Sequence, residues 1–533
     1  MQIAGVCVLW GSIQFLFNSA MSERPVKTED FVKTLDLRRN QAIIVILLLT
    51  TAALLRLPSL TLNSLWADEL WVANLVSKPF ETQLAILWNE TLPPLFYWLV
   101  WLWSLSFGTS EFVLRLLPAL IGIVTVPIAF LLFKRLFGSF TGLAVAVLIL
   151  FLPAHIYYSQ ELRTYSFSFL LAVLLTAALF HYLSDPSAKQ RWALAATCAA
   201  LFGTHYVSFF YILSVLFIGG VWIGSDWRTR LKKALSLSFT VLLLVAPFLP
   251  HFFSQSSTMK HFWPPPVSLR RVGIMMGFLF QYQISLAVIY LLLITVAMVS
   301  ARAGKDKVLS SKIWAAVVLS ILPISGVIGV SWISPNTSLL IPRIMLVFAP
   351  SILLLAAMGL PDKRLSTMIL VLCSTLSIWW LYSSAFYVLP VKSDFRGVTQ
   401  EISRLEKEHE NILLISLDSR GKTFESHYGY YFDMFGVRSD ILYMHGDMSE
   451  EAVLGRIRRT AILDQTNTLV VFSMHDLVLT DVLEICDKHF RKEYEKTFVS
   501  PAHFGHTFLA SYCLDLTGVD EEKGSDILGI QNP

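Results

Sequence analysis

The sequence predicts a polytopic α-helical membrane protein of about eleven transmembrane helices, with a long first extracytoplasmic loop and a small C-terminal α/β domain. Three observations predict it. Of the 533 residues 55% are hydrophobic and only 15% charged, with a mean hydropathy of +0.60, which no ordinary soluble domain shows. Apolar runs of membrane-spanning length recur between residues 41 and 387. Past Pro390 the composition turns mixed and polar. The formal net charge of +4 says little by itself; where Lys and Arg fall matters more, and no nucleic-acid partner is expected.

Taken in order, residues 1–20 are apolar but lack a basic leading region and a small-residue cleavage site, so they make a poor signal peptide. They read as an over-called start or a weak extra segment, with 1–40 as a cytoplasmic N-terminal stretch. Arg38 and Arg39 precede the first span, 41–57, and set its start in the cytoplasm by the positive-inside rule. The chain then carries Asp68-Glu69 into a long outer loop that runs to Asn89-Glu90-Thr91-Leu92-Pro93-Pro94. The aromatic run 95–107 is short against the ~20 residues a crossing needs, and reads as an interfacial or re-entrant piece.

Further spans are expected at 114–133, 141–158, 165–183, 191–206, 207–224, 234–250, 273–299, 313–333, 341–359 and 366–387. The inner turns then carry Lys134/Arg135, Lys189/Arg191, Arg228/Arg230/Lys232/Lys233, Arg302/Lys305/Lys307/Lys312 and Lys363/Arg364, which is why this arrangement is preferred. Arg270/Arg271 is the one basic pair left outside. Residues 41–390 form the membrane domain in this scheme, and an odd number of crossings puts 391–533 outside. That tail shows a charged helical run at 404–410, strand-like segments at 411–417 and 469–472, and a helix at 476–490. Cys486 and Cys513 lie in it and could pair in an oxidising compartment, whereas Cys7, Cys198 and Cys373 sit in apolar segments as packing residues.

With this topology the polar residues at membrane level share one side. They are Asp68, Glu69 and Glu90, Arg115 at the outer end of the second span, and the loop Tyr157-Tyr158-Ser159-Gln160-Glu161-Leu162-Arg163-Thr164-Tyr165. His205-Tyr206, the loop from His251 to Pro266 and Arg343 complete the set. Carboxylates suit proton transfer, and guanidinium groups suit a phosphate. Bland alternatives exist for each: a solvated acid pair, snorkelling arginines, a belt His-Tyr, an interfacial aromatic loop at 260–266. Glu161 and Arg163, two apart between apolar spans, are the most pointed, since charges there are expensive unless satisfied.

The ordered series of Asp68-Glu69, Leu92-Pro93-Pro94-Leu95-Phe96-Tyr97-Trp98, the run from Glu111 through Arg115 to Gly122, Tyr158 to Ser166, Thr204-His205-Tyr206 and Pro342-Arg343 resembles glycosyltransferase family 39-like integral membrane proteins. These are bacterial relatives of protein O-mannosyltransferases and aminoarabinose lipid A transferases, with the GT-C fold, and the likeness covers about residues 40–400. It implies an inverting transfer of a sugar from a polyprenyl-phosphate donor to a lipid, glycan or protein acceptor at the extracytoplasmic face of the plasma membrane. Asp68 is then the expected general base and Glu69 its neighbour in acceptor binding; Arg115, Arg163 and Arg343 are expected at the leaving phosphate. Glu161 would hold Arg163 or a sugar hydroxyl, with Glu90, Tyr158, Tyr165, His205 and Tyr206 around the substrate. The chain departs from the family at Leu92, where a His is frequent, and at Ile344, where a Tyr is.

The residues fit that chemistry. An acceptor hydroxyl must lose a proton as it attacks, and Arg is suited to the growing charge on a lipid phosphate. Retention would need a second carboxylate close by as nucleophile, and adjacent residues diverge, so inversion is expected. No Walker-type phosphate loop is present, in keeping with an activated donor. No metal site is assigned; scattered acids could coordinate a divalent ion without demanding one. Two other readings stay open: a transporter or flippase for a lipid-linked substrate, and a non-catalytic relative that binds a partner.

Overall fold

The structure, a computed structural model, describes residues 28–514 apart from 224–225, 259–266, 305, 334–337, 362, 391, 410, 417–424, 444–447, 464–465, 467, 474–479 and 499–506. The expectations for residues 1–20, for the 260–266 loop and for the start of the 476–490 helix fall outside the described residues. The chain is a polytopic helical membrane protein with a small sheet domain. It divides into two compact units. The larger comprises 1–58, 79–108 and 113–384; the smaller comprises 59–78, 109–112 and 385–533. This division differs from one cut near residue 390, because most of the first long loop belongs with the tail.

In the larger unit seven described helices are long and apolar enough to cross a membrane, or eight if a bent pair is one span. They are Arg39–Arg56, Glu111–Phe137, Tyr165–Ser184, Trp227–Gln255, Ile284–Ala303, Lys307–Ile333 and Lys363–Ser383. The bent pair, Ser139–Leu150 and Pro153–Ser159, turns by 60° where a single straight span over 141–158 was expected. Pro153 suits the first position of the new helix because it has no N–H to lose. The carbonyls freed at the break are met by Arg56, which donates to Ile149 O (3.3 Å), Leu150 O (3.2 Å) and His155 Nδ1 (2.9 Å). Apolar helices too short for that length test cover Leu95–Phe107, Ser208–Trp222 and Pro342–Met358, and Ala188–Phe202 fills the remaining expected segment.

The expected span 273–299 is corrected. It is two helices, Leu269–Phe278 and Ile284–Ala303, separated where Gln281 (φ 46°) and Tyr282 (φ 62°) take the left-handed conformation. Neither residue can continue a right-handed helix there, so a hydropathy window merged what the backbone divides.

Contacts within this unit collect the basic turns at one end. Lys134 Nζ donates to Gln41 Oε1 (2.6 Å) and Lys312 Nζ to Leu136 O (3.1 Å). Arg191 donates to Ser236 Oγ (2.6 Å) and Lys233 to Pro186 O (3.1 Å), while Phe137 meets Phe180 edge-on at 5.1 Å. The opposite helix ends carry Arg56, the turn after Pro153–Ser159, and the turn between Ala188–Phe202 and Ser208–Trp222. Leu95 N donates to Gly203 O (2.9 Å) and Trp103 Nε1 to Val113 O (2.8 Å). Both ends of the thirteen-residue helix Leu95–Phe107 are therefore bonded at that same end of the bundle.

The smaller unit is built on a five-stranded sheet in the order β2-β1-β3-β5-β4, with β1 Ile412–Ser416, β2 Ile441–Tyr443, β3 Thr468–Ser473, β4 Arg491–Phe498 and β5 Thr507–Cys513. β2, β1 and β3 are parallel, and β5 runs antiparallel to β3 and β4. β1 is buried throughout, as a central parallel strand covered on both faces must be. Leu413, Ile415, Leu469 and Val471 pack with Val453, Ile457 and Ala461 of the helix Glu450–Leu463 and with Val482 and Cys486 of Thr480–His489. The helix Phe395–Glu408 packs along β5. Cys486 and Cys513 are free thiols, so the pairing considered above is not formed; Cys486 is committed to this core.

Candidate functional site

Asp68 and Glu69 lie in the smaller unit, in the first turn of the helix Ala67–Val76. Acidic side chains in a first turn complement the unpaired N–H groups and the helix dipole. Glu69 is fully buried, and its carboxylate turns back to the Trp66 N–H at 3.4 Å, closing the turn as a capping glutamate does. The same oxygen lies 3.4 Å from Lys392 Nζ, and the ammonium sits over the Trp66 ring, 5.4 Å from its centroid. Asp68 is half-buried on the same turn. Consecutive helical residues do not share a face, so the two carboxylates have separate surroundings.

The loop before this helix is fastened to the C-terminal chain. Ser64 Oγ donates to Ser393 O (2.9 Å) and accepts from Phe395 N (3.1 Å), and Lys392 N donates to Asn63 Oδ1 (3.1 Å). Tyr431, from the helix Glu425–Phe435, accepts the Leu65 N–H at 2.7 Å and donates to Glu111 Oε1 at 2.9 Å. Glu111 also pairs with Arg396 Nη1 (3.0 Å), and Arg396 Nη2 donates to Thr61 O (3.2 Å). Sequence reasoning missed Lys392, Arg396, Tyr431 and the role of Glu111. The charged Lys392-Ser393-Asp394-Phe395-Arg396 stretch just past the last span was the signal available for two of them.

The larger unit holds a second cluster. Glu161 and Arg163 are buried in the turn after Pro153–Ser159, joined through the backbone by Arg163 N to Glu161 O (2.7 Å). Tyr158 stands edge-on to Tyr165 at 4.9 Å, and Tyr165 lies 6.1 Å from the His205 ring. Arg343, half-buried in the turn Pro342–Ile344, stacks its guanidinium over Tyr165 at 5.7 Å. Arg163 and Arg343 both act electrostatically on His205, and Glu161 and Arg343 both act on Tyr158. His205 Nδ1 accepts from Val207 N (3.3 Å), which leaves Nε2 to carry the proton of the neutral ring. Six of the expected residues thus converge: Tyr158, Glu161, Arg163, Tyr165, His205 and Arg343.

Tyr206 bonds through its hydroxyl to His251 Nδ1; His251 Nε2 in turn meets Leu87 O (2.8 Å). Gln255 donates to Trp88 O (2.8 Å) one helical turn on. Tyr206 therefore braces the helix Phe80–Asn89, at whose C-terminal end Glu90 stands half-buried. Arg115 is buried near the start of Glu111–Phe137. Among the described residues no three of His, Cys, Asp and Glu converge to hold a metal ion.

Superposition on solved structures decides the fold. ArnT from Cupriavidus metallidurans, bound to undecaprenyl phosphate, matches with a TM-score of 0.53 over 87% of this chain and 97% of its own, at 12% identity. The chain has the GT-C fold. The apo form of the same ArnT matches with a TM-score of 0.52 over 90% of this chain and 98% of its own, at 10% identity. A GT-C assignment also agrees with a match of residues 91–253 to the sequence model of the family described as dolichyl-phosphate-mannose-protein mannosyltransferase. That segment contains Arg115, Tyr158, Glu161, Arg163, Tyr165, His205 and Tyr206 of this GT-C chain. A comparison with curated protein sequences found no match.

Proposed function

We propose that the chain is a membrane glycosyltransferase that moves a sugar from a polyprenyl-phosphate donor to a hydroxyl-bearing acceptor, with inversion, at the extracytoplasmic face of the membrane. Asp68 takes the acceptor proton as the oxygen attacks the anomeric carbon, and the bond from that carbon to the phosphate oxygen breaks. The electron pair leaves on the polyprenyl phosphate, whose added charge Arg163 and Arg343 offset, with Arg115 as a further contributor. Tyr158, Tyr165 and His205 line the donor sugar, and Glu161 orients Arg163. Glu69 supports the turn that carries Asp68, and Tyr206 and Glu90 act through the brace on Phe80–Asn89. The observation that carries this reading is the convergence of two guanidinium groups on the Tyr165–His205 pair, in a fold shared with a protein solved bound to undecaprenyl phosphate.

The same reading sets the topology. It takes eleven crossings, with Leu95–Phe107 as a re-entrant or interfacial helix, and the bonding of both ends of that helix at one end of the bundle supports the second point. At ~1.5 Å per residue, thirteen residues span about 20 Å, short of a ~30 Å hydrocarbon core. The basic turns face the cytoplasm, and residues 391–533 lie outside with a role in docking the acceptor.

Incubation of the purified protein with a panel of polyprenyl-phosphate sugars and envelope acceptors, read by mass spectrometry, tests this. Release of polyprenyl phosphate together with a glycosylated product is the expected result. Binding of lipid with no turnover of any donor would replace the transferase by a transporter or a non-catalytic binder.

A further inference from the structure

The charge surrounding Glu69 is arranged for a purpose that the acid pair alone does not reveal. Glu69 is wholly buried, and Lys392, itself 7% exposed, comes from 323 residues away to meet it. Tyr431, from the helix packed on Ala67–Val76, spans Leu65 N and Glu111, and Glu111 is paired with Arg396. Lys392 is held in turn by its own N–H to Asn63 and by its ammonium over Trp66, so both the cation and the residues flanking the turn are fixed. A buried carboxylate with its counter-ion removed protonates, shifts or unwinds the structure that buries it. Here that structure is the first turn of Ala67–Val76, which also carries half-exposed Asp68.

We propose that Lys392 is a positioning residue: as the counter-ion of buried Glu69 it locks the capped first turn and thereby sets the place of the Asp68 carboxylate. The inference rests on the assignment of Asp68 as the base. It assigns Lys392 no contact with the substrate. It also explains the division of labour in the adjacent acids, one carboxylate being spent on the cap and the other left half-exposed.

The experiment uses the full-length protein in detergent, with Lys392→Met, Lys392→Arg, Glu69→Gln/Lys392→Met and Asp68→Asn. Two readouts are taken: amide hydrogen exchange over residues 66–72, and kcat and donor KM in the transfer assay. Lys392→Met is expected to speed exchange in that peptide and to lower kcat about a hundredfold, the loss typical of a misplaced reacting group, with donor KM unchanged. Lys392→Arg keeps the cation and restores both. The double variant removes the carboxylate charge that Lys392 offsets while Gln still caps the turn, so exchange slows again and most of the rate returns. Wild-type exchange and turnover in Lys392→Met would overturn the proposal. So would a double variant with restored exchange and no rate, which would put Lys392 on the substrate. If Asp68→Asn turns over like wild type, the base assignment fails by itself, and the exchange data still decide whether Lys392 locks the turn.

Discussion

Asp68 and Glu69 are joined by one peptide bond and have different surroundings. Glu69 is sealed against Trp66 and Lys392, while Asp68 stays half-exposed on the next position of the helix. Burial and pairing fit Glu69 to a structural role in the first turn of its helix. Tyr431 is the other residue whose partners fix this region. Tyr431→Phe leaves the buried Leu65 N–H without its acceptor and removes a bond to Glu111, at about 1–3 kcal/mol for an orphaned group. Thermal unfolding of the variant should fall accordingly, and an unchanged midpoint would mean that water takes the place of the hydroxyl. Cys486 gives a chemical check on the core of the smaller unit. Burial, with Asp487 adding to it, pushes its thiol up to about 12. At pH 8 a maleimide should therefore label Cys513 readily and Cys486 only after unfolding, as peptide mapping would read.

At the scale of elements, the apolar helices were legible because hydrophobicity is a local property. What was not legible was the backbone inside them. The break at Gln281 and Tyr282 involves residues with no turn signature, and the 60° bend before Pro153 depends on Arg56, some ninety positions earlier. In the tail, β1 and β3 show as apolar runs, whereas β4 reads Arg-Lys-Glu-Tyr-Glu-Lys-Thr-Phe. An edge strand blunted with charge carries no alternation for a pattern to find. Close helix packing is likewise invisible in a hydropathy plot. Gly359 ends the helix Met345–Met358 against Ile284–Ala303, and a Cβ there would overlap the backbone carbonyl of Leu293. Gly359→Ala must push two backbones apart, so it should lower the yield of monodisperse protein in size-exclusion chromatography. Alanine at Gly329, where a Cβ meets open space, is the matched control that should leave the yield alone.

For the whole molecule, the informative feature is the membership of the smaller unit. The order of Asp68-Glu69 and Glu161-Arg163 along the chain was legible in the sequence. Lys392, Arg396 and Tyr431 were hidden because their partners lie some 285 to 366 residues away. Loop 59–78 and the tail from 385 onward form one compact body, so the tail is part of what holds Asp68. Deleting residues 391–533 should leave a chain that still inserts but whose 59–78 loop becomes cleavable by added protease, with transfer lost. Protection of that loop in the truncated protein would show that it folds without the tail.

Asp68 is the proposed base of a lipid-linked sugar transfer. The most direct measurement is the rate of polyprenyl phosphate release by wild type and by Asp68→Asn at saturating donor, with donor binding measured alongside. A positioned general base contributes about 10²–10⁴-fold, so release should fall by that factor while donor binding is kept. Asp68→Asn releasing polyprenyl phosphate at the wild-type rate would show that Asp68 is not the base.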